Sequence, residues 1–398
     1  MVNRQPRFLH FIPDEKFVNV TVDLMARTGL GSHIFVVNSD SADGELRYAD
    51  RDKVAIVTRS CSSPLPLLAN ELTRCDALVI HYLTRPACEL ILAAPSSTPV
   101  AWCGWGGDYY NLLPGGEDAL FAPETRRIVE SLRKRRAGHS INRQAKRLAR
   151  TWLGPLRDFA LYHTYWRQAI RRVNFFSAPI RPDFDLLRAA LADDLVAEYC
   201  QFHYGSLQDD AFRAVTAPAR RGHQASIQLG QSASAFGNHL DAALSIQIAH
   251  RQRVRLVVPM SYGDLDYRDE VLSRIGAMCF AAFDDIRQYL PLHEFERRVA
   301  SCELAIFGSK RQHALGNILI ALCQGRQVLL DPENPTFGYL RTLGVMVDAI
   351  SDIDRVLDGA AQFDAAHRLK ANVVALRDQW GASKVDLDAR IFLSRLVA

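Results

Sequence analysis

Four segments in the second half of the chain carry residues suited to phosphates and sugars. In IFGSKRQHALGNILIALCQG a strand ends at Gly308, Lys310, Arg311 and Gln312 follow, and a helix begins near Gly316 with Asn317 in its first turn. A cation beside a helix N-terminus combines charge, forked donors and the helix dipole, which suits a diphosphate; a solvated basic loop is the alternative. In IQLGQSASAFGNH, Gly230, Ser232, Ser234 and Gly237 form a small-residue loop, and Asn238 can cap a helix starting near His239. Backbone N–H groups at such a start suit a phosphate, or the segment is a plain strand-to-helix turn. It is not a G-x-G-x-x-G fingerprint, so a nicotinamide cofactor is not favoured. VVPMSYGDLDY offers Met260 and Tyr262 as soft or flat surface for a base, or as packing. LLDPENPTFGYL places Asp331, Glu333 and Asn334 just after a strand, to accept a ribose or sugar hydroxyl or to cap the next helix.

Two further segments lie in the first half. HFIPDEKF sets Asp14, Glu15 and Lys16 at the end of the first strand. WCGWGGDYY sets Gly106, Gly107 and Asp108 after another, with Trp102, Trp105, Tyr109 and Tyr110 around them. Aromatic faces stack on apolar sugar faces and a carboxylate can take a hydroxyl proton. The alternative is a helix-capping Asp in an aromatic core patch. His10 and His81 also end strands and read as packed histidines. No H-E-x-x-H, D-x-D, G-x-S-x-G or Walker pattern stands where it would act, which removes zinc hydrolase, serine hydrolase and P-loop readings. The lack of a D-x-D in such a position also weakens a metal-dependent transferase of the single-domain type.

Alternating apolar strands and helices position these segments, the pattern of parallel α/β sheets. RFLHFI, HIFVV, VAIVT, ALVIHYL, PVAWCGW, VNFFSAP and AEYCQFHYG read as strands of a first domain over residues 1–207. AVTAPARRGHQ has no periodicity, so 208–224 reads as a linker. ASIQLGQ, VRLVVPM, ELAIFG and RQVLL read as strands of a second domain over 225–350, and 351–398 reads as helical. Ligands of doubly wound sheets bind beyond the carboxyl ends of the strands, where all six segments fall.

The chain has 398 residues, eight scattered Cys with no C-x-x-C spacing, and a net charge of +4. The cysteines read as buried thiols in a reducing compartment. No apolar leader and no apolar run of about 18 residues occurs, so a soluble, cytoplasmic protein is expected. The charge is uneven. Residues 126–172 hold 14 Lys and Arg against two acids, a net +12, leaving −8 for the rest. Within this segment Ile141, Ala145, Leu148 and Trp152 recur at helical spacing, with Arg143, Lys146, Arg147 and Arg150 between them. A basic amphipathic hairpin suits an anionic membrane surface; a solvated hairpin is the alternative, and nucleic acid is disfavoured by the absence of its motifs.

Two Rossmann-like halves joined by a short linker resemble a GT-B glycosyltransferase, an α/β fold of two domains facing across a cleft. LHFIPDEKF, WCGWGGDYY, LGQSASAFGNH, VVPMSYGD, RQHALGN and DPENP, in that order, resemble the TDP-N-acetylfucosamine:lipid II N-acetylfucosaminyltransferase family. That resemblance implies transfer of a deoxyamino sugar from a dTDP-sugar to a polyprenyl-diphosphate-linked or other cell-surface glycan. It implies no cofactor and no metal, and a peripheral position at the cytoplasmic face of a bacterial inner membrane. Gly230, Ser232, Asn238, Met260, Ser261, Tyr262, Arg311, Gln312, Gly316, Asn317, Glu333 and Asn334 fall on the donor side. Asp14, Lys16, Gly107 and Asp108 fall on the acceptor side, with Trp105 and Tyr109 as sugar-stacking rings. Asp108 is expected to be the base, with Asp14 as substitute, and Arg311 to neutralise the departing diphosphate. A nucleotide-sugar epimerase of the same fold and a non-catalytic nucleotide-sugar-binding module are the rival readings.

Overall fold

Parallel strands buried on both faces read as continuous apolar runs, and the seven runs of the first half pair as one sheet. They are β1 (Arg7–Pro13), β2 (Ser32–Ser39), β3 (Ile56–Arg59), β4 (Ala77–His81), β5 (Val100–Cys103), β6 (Phe175–Ser177) and β7 (Glu198–Tyr199), in the order β3-β2-β1-β4-β5-β6-β7. A second parallel sheet has the order β10-β9-β8-β11-β12-β13. Its strands are β8 (Ala225–Leu229), β9 (Val254–Pro259), β10 (Ala282–Ile286), β11 (Leu304–Phe307), β12 (Gln327–Leu330) and β13 (Asp348–Ala349). Four of these six are legible as apolar runs. β10 is an edge strand with Asp284 and Asp285 at its centre, where Asp284 pairs with Arg255 of β9 at 3.0 Å. β13 has only two residues. The computed structural model describes residues 4–41, 43–59, 62–138, 165–207, 224–359 and 365–398.

Strand order reverses beside β1 in the first sheet and beside β8 in the second. The loops after β1 and β4, and those after β8 and β11, therefore leave their sheets in opposite directions. Such switch points open a crevice at the carboxyl edge of a parallel sheet.

The two units do not divide at one point in the sequence. Unit 1 comprises Met1–Pro114, Lys146–Ser206 and Trp380–Ala398; unit 2 comprises Gly115–Ala145 and Leu207–Gln379. Helix Ala382–Leu396 belongs to unit 1, where Val385, Ala389, Phe392 and Leu393 join Phe8, Met25 and Phe202 in the core. Helix Pro123–Gly138 belongs to unit 2. Its Ile128 and Leu132, four residues apart on one face, are buried with Ala243, Tyr267 and Leu272. A division into 1–207, 225–350 and a separate helical tail 351–398 thus differs at two helices: Pro123–Gly138 packs in unit 2, and Ala382–Leu396 is part of unit 1. The linker core 208–223 lies outside the described residues.

The basic segment is largely paired where it is described. Arg133 meets Asp118 at 2.8 Å, Arg135 meets Glu270 at 3.1 Å, and Arg136 meets Asp264 and Asp266 at 2.6 Å each. All four acids are in unit 2. Arg167 and Arg171 share Asp194 in unit 1 at 2.8 Å each. For these residues the structure favours the solvated-helix reading over a free cationic face. Ile141, Ala145, Leu148, Trp152 and the basic residues between them lie outside the described residues. No helix among the described residues is long and apolar enough to cross a membrane. Of the seven described cysteines six are buried and Cys279 is exposed, against the expectation that all are buried.

The start of helix Pro123–Gly138 is held by Asp241, whose carboxylate accepts from the Glu124 N–H, the Thr125 N–H and the Thr125 hydroxyl at 2.7–2.9 Å. Loss of such a cap typically costs about 1–2 kcal/mol. Asp241→Ala is expected to lower the stability of unit 2 by that amount and to speed tryptic cleavage within 126–136. Unchanged cleavage and an unchanged urea midpoint would show that Asp241 does not anchor the helix.

Candidate functional site

The carboxyl edge of unit 2 gathers the loops after β8, β9, β11 and β12. Gly230 begins the first at φ +68, and a Cβ there would lie 2.3 Å from the buried His239 ring, so both conformation and space demand glycine. The β8 and β9 loops are laced by Ala233 N–H to the Tyr262 carbonyl at 2.7 Å and Asp264 N–H to the Ala233 carbonyl at 2.9 Å. In the β11 loop the Arg311 guanidinium stacks 4.2 Å from the Phe236 ring centroid, and Phe236 in turn stacks on Phe121 at 5.2 Å. A cation on an aromatic face is held in orientation by the ring. Gln231 reaches the His313 ring at 3.3 Å, and Ser232 and Gln312 are buried beside them. Helix Leu315–Cys323 starts two residues after His313, with Gly316 exposed and Asn317 half-buried in its first turn. Lys310 meets Glu333 at 2.8 Å. Tyr262 is about half exposed beyond β9, with Ser261 before it. Burial raises its hydroxyl pKa, so it is neutral and can donate.

Three donor-side candidates have other tasks. Met260 is fully buried in the unit 2 core and offers no surface to a base. Asn334 caps helix Pro335–Thr342 through the Thr336 N–H at 2.9 Å and donates to the Ser309 carbonyl at 2.8 Å. Asn238 precedes helix His239–Leu244 in a left-handed conformation but makes no side-chain cap bond. Its amide accepts from the Ala122 N–H at 2.9 Å and donates to the Leu120 and Gly308 carbonyls at 3.1 and 2.9 Å. Both asparagines therefore shape the donor-side loops rather than present free groups.

The carboxyl edge of unit 1 changes the assignment of the base. Asp108 is 1% exposed. One of its oxygens accepts from the Leu83 N–H and Trp102 Nε1–H, the other from the Trp105 N–H, all at 2.8 Å. Burial pushes its carboxyl pKa up while the three donors pull it down, and burial prevails. This is the structural alternative: a carboxylate at the centre of an aromatic patch, tying the β4 and β5 loops together. Asp14 is likewise occupied, accepting from the N–H groups of Arg47, Tyr48 and Ala49 at 2.5–3.1 Å. Tyr109 is buried with its hydroxyl on Asp183, so it does not face a sugar.

This edge presents a half-buried aromatic cluster beside the exposed Glu15 and Lys16. Trp105 is half-buried and edge-on to Phe17, Tyr82 and Tyr204 at 5.2–5.6 Å. Gly107 and Lys16 are exposed, with the Lys16 ammonium 5.2 Å from the Phe17 ring centroid. Phe236, Gln231, His313 and Tyr204 were not singled out by sequence. Only their places just beyond strands signal them. His10 and His81 are packed, as expected, but packed against each other and His33.

Asp108→Asn separates the structural role from the catalytic one. The amide keeps one acceptor oxygen and turns an NH2 group toward at least one donor. A buried donor left unsatisfied costs about 1–3 kcal/mol. The variant is expected to unfold at lower urea, with turnover per folded molecule largely retained. Full stability with turnover abolished would restore Asp108 as the base.

No protein-family model and no curated protein matches the sequence. Among solved structures the chain is similar to apo OtsA, with TM-score 0.61 and 9% identity over 99% of each chain. It is similar to an α,α-trehalose-phosphate synthase from Burkholderia xenovorans, with TM-score 0.58 and 11% identity over 98% of this chain and 100% of that one. It is also similar to HepE of Anabaena with UDP and glucose, with TM-score 0.54 and 13% identity over 98% and 99% of the two chains. These neighbours are GT-B glycosyltransferases, and the chain shares their fold of two parallel α/β units, here of seven and six strands.

Proposed function

We propose that the protein transfers a glycosyl group from a nucleoside diphosphate sugar held at the carboxyl edge of unit 2. One observation carries this reading: the convergence of Arg311, stacked on Phe236, with Ser232, Gln231, Gln312 and His313 beside a helix start at the sheet's switch point. Solved neighbours described with UDP-glucose or UDP-2-fluoro glucose support the donor class.

As the bond from the anomeric carbon to the diphosphate breaks, its electron pair goes to the leaving oxygen. Arg311 and the N–H groups at the start of helix Leu315–Cys323 meet that charge. A fixed positive group aimed at developing charge removes a few kcal/mol of barrier, a role that calls on no metal. Tyr262 supplies ring surface for the base, and Glu333, on Lys310, accepts from a sugar or ribose hydroxyl. The acceptor lies on the aromatic cluster at Trp105 with Gly107 and Lys16. The family resemblance supports a finer form: a dTDP-linked deoxyamino sugar, and a polyprenyl-diphosphate-linked glycan met at the inner membrane surface.

Arg311→Ala is expected to lose about 10²-fold or more in kcat with the fold intact, and Arg311→Lys to recover part of it. Near-normal turnover in Arg311→Ala would remove the diphosphate assignment. With wild-type protein and a panel of nucleotide sugars, release of nucleoside diphosphate should require a glycan acceptor. Conversion of the donor without an acceptor would indicate an epimerase, and binding without conversion a non-catalytic module.

A further inference from the structure

Unit 1 contains a continuous chain of hydrogen bonds running through its sheet. The His33 Nε2 lies 2.9 Å from the Leu30 carbonyl. His33 Nδ1 lies 3.0 Å from His10 Nε2, and His10 Nδ1 lies 3.0 Å from His81 Nε2. His81 Nδ1 lies 2.8 Å from the Tyr204 hydroxyl, which is also 3.3 Å from the Cys103 carbonyl. The rings sit on adjacent strands β2, β1 and β4. His33 stacks on Phe8 at 5.1 Å, His10 on Phe35 at 4.4 Å, and His81 is edge-on to Phe202 at 6.0 Å. Clamped rings cannot readily turn over, so the chain changes state by moving protons.

One carbonyl fixes every tautomer. Leu30 can only accept, so His33 carries its proton on Nε2 and its Nδ1 accepts from His10 Nε2–H. His10 Nδ1 then accepts from His81 Nε2–H, and His81 Nδ1 accepts from the Tyr204 O–H. The chain thus points one way. Adding a single proton, with Tyr204 turned to donate to the Cys103 carbonyl, keeps every bond satisfied whichever ring becomes the imidazolium. With the charge on His33, His10 and His81 carry their protons on Nδ1. His10 and His81 are wholly buried whereas His33 is half-buried, so the charge rests on the ring least costly to ionise. Burial lowers all three imidazole pKa values, that of His81 to about 3, while the Leu30 carbonyl partly restores His33. Besides the members themselves, the titratable groups acting on the chain are Cys103 and Asp108 beside Tyr204.

We infer that Tyr204, His81, His10 and His33 form a proton relay that serves acceptor activation, with Tyr204 touching the acceptor and the three histidines acting through it. This rests on the transferase reading, and it fills the place left by Asp108 and Asp14, whose oxygens are occupied. As the acceptor oxygen bonds to the anomeric carbon, its O–H bond breaks and the proton passes to the Tyr204 oxygen. Tyr204 gives its own proton to His81 Nδ1, His81 gives Nε2–H to His10 Nδ1, and His10 gives Nε2–H to His33 Nδ1. The electron pair of the broken glycosidic bond leaves with the nucleoside diphosphate. After product release each bridging proton shifts back along the chain toward Tyr204, whose outward O–H proton passes to solvent, and the chain returns to its first polarity. Tyr204 is half-buried and packs on Trp105 and Phe17 at 5.3 and 5.4 Å, within the aromatic cluster of this edge.

The relay is tested on the whole protein without substrate, by nitrogen-15 NMR of labelled histidine, with resonances assigned through single His→Gln variants. At mildly alkaline pH all three rings should carry Nε2–H. On acidification one midpoint should ionise His33 and switch His10 and His81 to Nδ1–H together. In His33→Gln that concerted switch should vanish. Rings that titrate at separate midpoints, or that keep Nε2–H throughout, would overturn the relay. Tyr204→Phe should then lower acceptor-dependent kcat by about 10²-fold and flatten its pH profile, with donor KM little changed. A concerted switch with normal Tyr204→Phe turnover would overturn the catalytic role. A wild-type protein that turns over no nucleotide sugar would instead defeat the transferase reading, leaving the NMR result to stand by itself.

Discussion

The side-chain amide of Asn238 joins stretches of chain that the backbone alone would not hold together. It accepts from Ala122 and donates to Leu120 and Gly308, so it fixes the approach to helix Pro123–Gly138 and the exit from β11 at once. Gly308 precedes the loop that carries Arg311, and a Cβ at Gly308 would lie 2.9 Å from the Gly237 carbonyl. The position of the arginine therefore depends on backbone packing that only this small residue and this amide permit. Asn334, through the Ser309 carbonyl, holds the same loop from the β12 side. A buried amide with all its groups paired costs more to break than it gains when made, which suits a fixed frame for an anion site.

The parallel sheets were legible because buried strands have no solvent face to interrupt their apolar runs. β10 was not legible, since its two central aspartates look like a loop and are tolerated only at a sheet edge beside Arg255. The candidate loops were legible for a topological reason: every strand of a parallel sheet ends on one edge. Which polar groups remain open on that edge was not. Asp14 is filled by N–H groups 33 to 35 residues further along the chain, and no local pattern announces them. Asp108 is filled partly by Leu83, across the neighbouring strand's loop. The acid type and its place beyond a strand were readable, but its remaining acceptor capacity is a tertiary property.

The charge distribution follows the same logic. The basic stretch is real, yet the acids that meet Arg135 and Arg136 lie 128 to 135 residues away. Each exposed pair contributes little to stability, roughly 0–1 kcal/mol. Together they set the orientation of helix Pro123–Gly138 once Ile128 and Leu132 have buried its apolar face. A local excess of arginine thus serves one unit's internal packing, and a mean net charge near zero conceals that arrangement.

The histidines of unit 1 follow the period of the sheet. Phe8, His10 and Ile12 alternate along β1, as do His33, Phe35 and Val37 along β2, and Ala77, Val79 and His81 along β4. All three imidazoles replace positions that would otherwise be apolar, on the face covered by helix Ala382–Leu396. Their six ring nitrogens are satisfied by two bonds among themselves, one carbonyl and one hydroxyl. Replacing one ring by an apolar residue leaves its neighbours with unpaired buried nitrogens, whereas replacing all three by residues of similar volume would not. Stability alone therefore gives no reason to place imidazoles here. A chain that can only be kept or lost as a whole, and that stays fully bonded when one proton is added, is explained by the movement of that proton.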